Sequence, residues 1–230
     1  MCTAIAFRGD DLLYGFNLDL DPAVWPYSVT KTKNYFAVGI TAGKTTYHVH
    51  GVNRNGYFSN VPYMNGETYT PPRGLRRERI DLMSDRYITG RYSFADIGEI
   101  LRTKAVCNIP AATMHSLIGN EQGEFLIVEP GNGWKKVEER FAVLTNFPVL
   151  TALDDYSNPF YGKDRYDRAT PVLASADARF SAADALRLLH AVRQEGQWAT
   201  RVTFVYSRNE NAVHYFLDGD ITQTRTHCFG

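Results

Sequence analysis

Two apolar runs at the amino terminus, Thr3 to Phe7 and Leu12 to Leu18, are separated only by Arg8-Gly9-Asp10-Asp11. Runs of this length around a polar turn predict a β-hairpin, in which Gly9 supplies the positive φ of a tight reversal. A chain that opens this way commits its first residues to a sheet, and Cys2 then opens a strand. Further strands are predicted over Tyr35 to Ala42, Thr45 to Val52, Met114 to Ile118, Phe125 to Glu129, Val202 to Tyr206 and Ala212 to Leu217. The last four read as two more hairpins, turning at Gly119 to Gly123 and Ser207 to Asn211. Helices are predicted behind Ser93-Phe94-Ala95-Asp96 and Ser181-Ala182-Ala183-Asp184, both capping-box-like, and over Arg77 to Tyr87. Their apolar stripes, Ile97/Ile100/Leu101 and Ala185/Leu189/Val192, recur at helical spacing. Hairpins with a few amphipathic helices predict an α+β layered protein, read as one domain over residues 1–230.

Composition narrows the function. With 44% hydrophobic and 13% aromatic residues the chain is not disordered. Basic and acidic side chains balance at 25 each, which argues against nucleic acid as a partner. Arg73, Arg76, Arg77, Arg79 and Arg86 are interleaved with Glu78, Asp81 and Asp85, as on a solvated helix face. No apolar run approaches the ~18 residues of a membrane span; Phe141 to Leu144 breaks at Thr145-Asn146. The first residues carry no basic n-region, so a cytoplasmic protein is expected. Cys2, Cys107 and Cys228 form no C-x-x-C pair and no disulfide framework. His48 and His50 alternate along a predicted strand and are expected on one side of it, but no further ligand is close in sequence, so no metal is expected. Cys107 with His115, and His227-Cys228, carry no local catalytic signature. No glycine-rich phosphate loop is present, and no cofactor is expected.

Cys2 carries the sharpest chemistry. Removal of Met1, which is usual before a small residue, leaves a thiol and a free α-amine on one residue. An amine with a reference pKa of about 7.7–8.0 is partly neutral near pH 7 and can take the thiol proton. One residue then supplies nucleophile and base; the alternative is a small buried apolar side chain. Pairing of the first hairpin returns Asp19, at the end of Gly15-Phe16-Asn17-Leu18-Asp19, to the Cys2 end. Ser59-Asn60-Val61-Pro62 and Leu144-Thr145-Asn146-Phe147-Pro148 each hold an Asn shortly before Pro, which suits either an oxyanion donor or a turn.

Cys2-Thr3-Ala4-Ile5, Gly15 to Asp19, Asn60-Val61-Pro62 and Val143 to Asn146 occur in an order that resembles the choloylglycine hydrolase and penicillin V acylase group of N-terminal nucleophile hydrolases, with acid-ceramidase-like amidases more distant. The resemblance implies a four-layer αββα sandwich of two antiparallel sheets flanked by helices. It implies Cys2 as nucleophile with its freed amine as base, Asp19 holding the amine or thiol, and Asn146 and Asn60 donating to the oxyanion. Arg201 is the candidate for the late arginine of such sites, with Arg208 and Arg225 as rivals. It implies hydrolysis of a linear carbon–nitrogen amide in a small molecule; acyl transfer from the same thioester, or a binding module on the same fold, are the alternatives. Homo-oligomers occur in that group. Phe16, Tyr57, Phe58 and Tyr63 are candidates for an acyl pocket or for plain core. Phe16 stands where the bile-salt and penicillin enzymes carry arginine, so a fixed positive charge is missing and the substrate is not carried over.

Overall fold

A computed structural model describes residues 1–109 and 112–230. In chain order the elements are β1 (Cys2–Arg8), β2 (Leu12–Asp19), β3 (Tyr27–Lys31), β4 (Tyr35–Ala42), β5 (Thr45–Asn53), β6 (Phe58–Ser59), β7 (Arg77–Arg79), α1 (Ile80–Ile88), α2 (Phe94–Thr103), β8 (Ala105–Cys107), β9 (Ser116–Gly119), β10 (Phe125–Glu129), β11 (Gly133–Val137), β12 (Phe141–Leu144), α3 (Lys163–Ser175), α4 (Ala182–Ala191), β13 (Thr200–Ser207), β14 (Ala212–Leu217) and β15 (Arg225–Cys228). One sheet has the order β12-β1-β2-β13-β14-β15 and a second the order β11-β10-β9-β6-β5-β4-β3; every pairing in both is antiparallel. A short parallel pair, β7 with β8, stands apart.

Side-chain alternation sorts the core into three layers. Even positions of β2, from Leu12 to Leu18, meet Phe36, Phe58, Leu117 and Phe125 of the other sheet. Odd positions such as Ile5, Phe7 and Leu13 pack under Ala169 and Leu173 of α3 and Leu186 and Leu189 of α4. Val49, Ile118 and Val128, on the far face of the second sheet, cover α1 and α2. Helix, sheet, sheet and helix are thus stacked as the αββα sandwich expected from the resemblance. Both capping boxes form: Ser93 with Asp96, and Ser181 with Asp184. Gly15 permits the closeness of α4, since a Cβ there would stand 2.9 Å from both Ile5 and Leu189.

The first hairpin pairs Cys2 with Leu18 and Thr3 with Asn17. Met1 extends that ladder: its carbonyl accepts from the Asp19 amide at 2.8 Å and its amine donates to the Asp19 carbonyl at 2.6 Å. Between Val38 and Gly39 the register of β4 against β5 slips. That bulge breaks the expected alternation of the two histidines. His48 turns to Asp85 of α1, with Nδ1 3.1 Å from the carboxylate, whereas His50 stacks on Phe16 of the facing sheet. They do not share a side, which removes the geometry a two-histidine metal site would need. Among the described residues no helix is long and apolar enough to cross a membrane, and no group of three His, Cys, Asp or Glu side chains is placed to hold a metal.

Candidate active site

A cavity of about 550 Å³ opens where the ends of β1 and β2 meet the second sheet. Cys2 and Asp19 stand in its wall, with Leu18, Leu20, Val49 and Val61 as buried apolar neighbours. Tyr63 and Phe160, at 43% and 48% exposure, form its rim.

Behind Cys2 lies a buried polar cluster centred on Arg165, whose guanidinium is fully enclosed. Nη1 donates to the Cys2 carbonyl, to Thr3 Oγ1 at 2.9 Å and to Asp19 Oδ2 at 3.3 Å. Nη2 donates to Asn146 Oδ1 at 2.7 Å, while Nε has no partner among the described residues. Asp19 Oδ1 accepts from Thr200 Oγ1 at 2.6 Å. Asn146 Oδ1 also accepts from the Cys2 backbone nitrogen at 2.9 Å, and its Nδ2 donates to the Tyr63 carbonyl. Two donors on one end of the amide and an acceptor on the other leave Asn146 a single orientation. One Nδ2–H is held by Tyr63; the second has no acceptor among the described residues.

Arg165 is the residue that sequence reasoning missed. Arg201, the earlier candidate, lies outside this cluster: its Nε reaches the Leu20 carbonyl at 3.4 Å and its Nη1 stands 3.6 Å from Asp218. Arg201 pairs at the outer end of β13, whereas the first turn of α3 aims Arg165 beneath Cys2. A signal for it exists in the chain. Arg165, Ala169 and Leu173 are the buried residues of α3, at a spacing of four, so the arginine occupies an apolar stripe. Gly162 makes the room: it adopts φ 68°, and a Cβ there would fall 2.1 Å from Arg165 Nη2.

Other candidates lie elsewhere. Asn60 turns its amide to β9, donating to the Leu117 carbonyl at 3.3 Å, so it does not face the cavity. Phe58 stacks on Tyr14 at 4.7 Å in the core between the sheets, and Tyr57 on Tyr87 of α1 at 4.9 Å. Both are packing residues, because strand alternation sends them to layers away from the cavity. Phe16 backs His50 from the inter-sheet layer, and of the four aromatic candidates Tyr63 alone lines the cavity.

Burial pushes the Cys2 thiol up, while the positive amino terminus pulls it back. Asp19 is raised by burial to about 6 against the pull of Arg165 and the amino terminus. A carboxyl whose folded pKa exceeds its unfolded value takes up a proton on folding, so its contribution to stability is largest below pH 4 and is lost as pH rises toward 6. Asp19→Asn is therefore expected to flatten the pH dependence of the urea midpoint between pH 4 and 6, relative to the parent. An unchanged slope would assign that titration to other groups.

The segment carrying Asn146 is clamped from below. His115 Nε2 donates to the Thr145 carbonyl at 2.8 Å, and Glu129 accepts from the Val149 and Leu150 amides at 2.6 and 3.1 Å. Glu129→Leu leaves two half-buried N–H groups without their carboxylate and is expected to cost about 1–2 kcal/mol in chemical denaturation.

As a sequence the chain matches no protein-family model and no curated protein. Its structure is similar to a mutant of the conjugated bile acid hydrolase of Clostridium perfringens, at TM-score 0.71 and 13% identity over 98% of this chain and 92% of that one. It is similar to penicillin V acylase of Agrobacterium tumefaciens at TM-score 0.61 and 16% identity, over 94% and 83% of the two chains. An N-acylethanolamine-hydrolyzing acid amidase ortholog of Caenorhabditis elegans matches at TM-score 0.53 and 15% identity, over 90% and 93%. The chain has the N-terminal nucleophile hydrolase fold. Cys2 opens the first strand of one central sheet, as expected from the sequence, and stands in the cavity wall.

Proposed function

We propose that the chain is a cysteine amidohydrolase that cleaves a linear carbon–nitrogen amide, with Cys2 exposed as amino-terminal nucleophile by removal of Met1. The observation that carries this reading is the buried Arg165–Asp19–Asn146 cluster built around the backbone of Cys2 at a cavity wall. A fully buried arginine is costly to hold in a fold, and a cluster of this kind is repaid when it fixes a reactive group.

In this reading the Cys2 nitrogen, freed as an amine, keeps its place against Asn146 Oδ1. The amine takes the thiol proton, and the sulfur attacks the amide carbonyl carbon. The carbonyl π electrons move to oxygen, and the Nδ2–H of Asn146 that Tyr63 leaves free is the donor this reading assigns to that anion. Collapse breaks the carbon–nitrogen bond, and the ammonium returns its proton to the leaving amine. Water, deprotonated by the same amine, then cleaves the thioester to carboxylic acid and thiol. The exposed rim at Tyr63 and Phe160 supports water as the second acceptor over a second amine.

Intact mass before and after iodoacetamide tests the reading in a Cys228→Ser background, which removes the exposed free thiol, with Cys2→Ala as control. Loss of the Met1 mass and rapid single labelling that disappears in Cys2→Ala are expected. Retained Met1, or labelling that the substitution does not change, would overturn it.

A further inference from the structure

The cavity wall carries a deeply buried polar side chain that the amidase chemistry leaves idle. His50 lies 3% exposed between Phe16 and the cavity, with the two ring centroids 4.3 Å apart and nearly parallel. Ordinary alternation with Val52 puts it there, and the bulge in β5 turns His48 to the opposite face. Its Nδ1 accepts from the Val61 backbone N–H at 3.2 Å, so the ring proton resides on Nε2. Nε2 has no acceptor among the described residues, and it is not among their buried unmatched atoms. Burial, with the positive amino terminus nearby, pushes the imidazole down to about 3. The ring is thus a fixed, uncharged donor with one N–H to give.

Its position decides which part of a substrate it meets. His50, Leu18, Val49 and Val61 are the buried side of the cavity, and Tyr63 and Phe160 the exposed side. During amide cleavage the acyl group stays on sulfur while the amine departs, so the closed side holds the acyl group and the open side releases the amine. Arg79, the side-chain cation in the same wall, is already committed: it binds both carboxylate oxygens of Asp81, at 3.0 and 2.5 Å. A carboxylate on the acyl group would therefore meet Asp19 and Asp81 with no free side-chain cation among the lining residues, the amino terminus being engaged as the base at Cys2.

We propose that His50 is a specificity-determining residue whose Nε2–H binds an acceptor oxygen on the acyl group, so that this site selects uncharged, largely apolar acyl groups carrying an ether, hydroxyl or keto oxygen. The proposal rests on the amidase reading of the cavity. A buried donor left unmatched by a plain hydrocarbon chain is penalised, which is how one N–H discriminates between otherwise equal chains.

The test uses binding, so it stands even if turnover is absent. On full-length Cys2→Ala protein, heptanamide and its set of ether-for-methylene isosteres are titrated, with fluorescence of Trp25 and Trp198 in the cavity wall as readout. At least one isostere is expected to bind roughly three- to tenfold more tightly than heptanamide, the worth of one buried neutral hydrogen bond. In His50→Phe, which keeps the stack on Phe16, the preference is expected to vanish or reverse; in His50→Gln, which keeps a donor, part of it is expected to persist. Equal affinities across the series, no binding by any member, or a preference unchanged in His50→Phe would overturn the proposal. Loss of Cys2 labelling in the parent, with the isostere preference intact, would instead sink only the amidase reading.

Discussion

A chain that retains Met1 is expected to keep its fold and its thiol and to lose about 10²- to 10⁴-fold in amide hydrolysis, the range supplied by a positioned general base. Inserting a glutamate between Met1 and Cys2 is the means of preventing removal. The fold tolerates a residue before Cys2, because Met1 already continues the β1–β2 ladder through two backbone hydrogen bonds with Asp19. In that state the Cys2 nitrogen is an amide N–H donating to Asn146 Oδ1 at 2.9 Å, with no lone pair to accept a proton. Turnover with a chromogenic anilide, beside a thermal melt, reads both halves of the expectation. Activity equal to the parent would remove the amine from the mechanism and leave the thiol alone as the reactive group.

Arg165→Met is expected to reduce stability by about 3–5 kcal/mol, the range for breaking a buried charged pair from one side. For a chain of this length that is a fall in Tm of roughly 10 °C. The loss has several parts: Asp19 Oδ2, the Cys2 carbonyl, Thr3 Oγ1 and Asn146 Oδ1 all lose a donor together. Asp19 responds by holding its proton to higher pH, since Arg165 is the strongest of the influences that lower it. Adding Asp19→Asn is therefore expected to recover part of the stability without recovering turnover. If Arg165→Met melts with the parent, the cluster is not the keystone of the cavity wall, and the placement of Cys2 depends on the β-ladder alone. The same substitution at Arg201, which lies half-buried at the end of β13 with Asp218 at 3.6 Å, is expected to shift Tm by no more than a few degrees.

Much of the framework was legible in the chain. The hairpins at 2–19, 116–129 and 200–217, and the capped helices behind Ser93 and Ser181, are set by short-range pattern: apolar alternation, polar turns and local side-chain caps. α3 was missed because its run from Lys163 to Arg168 is mostly charged and Pro171 interrupts it, so its narrow buried stripe of Arg165, Ala169 and Leu173 does not stand out. β3 and β11 were missed because both run along the edges of their sheet with largely exposed or half-buried residues, which leaves little alternation to read.

By itself the sequence determined that Cys2 opens a strand and that Asp19 returns beside it, since an antiparallel hairpin brings its two ends together by local geometry. The tertiary structure alone decided the rest. Arg165 and Asn146, 163 and 144 residues from Cys2, reach it because α3 packs on the sheet in which β12 pairs with β1. His50 faces the cavity while His48 does not, because a one-residue slip against β4 falls between them. No spacing along the chain encodes those meetings; they follow from which layers bury which faces, and burial is a property of the whole fold.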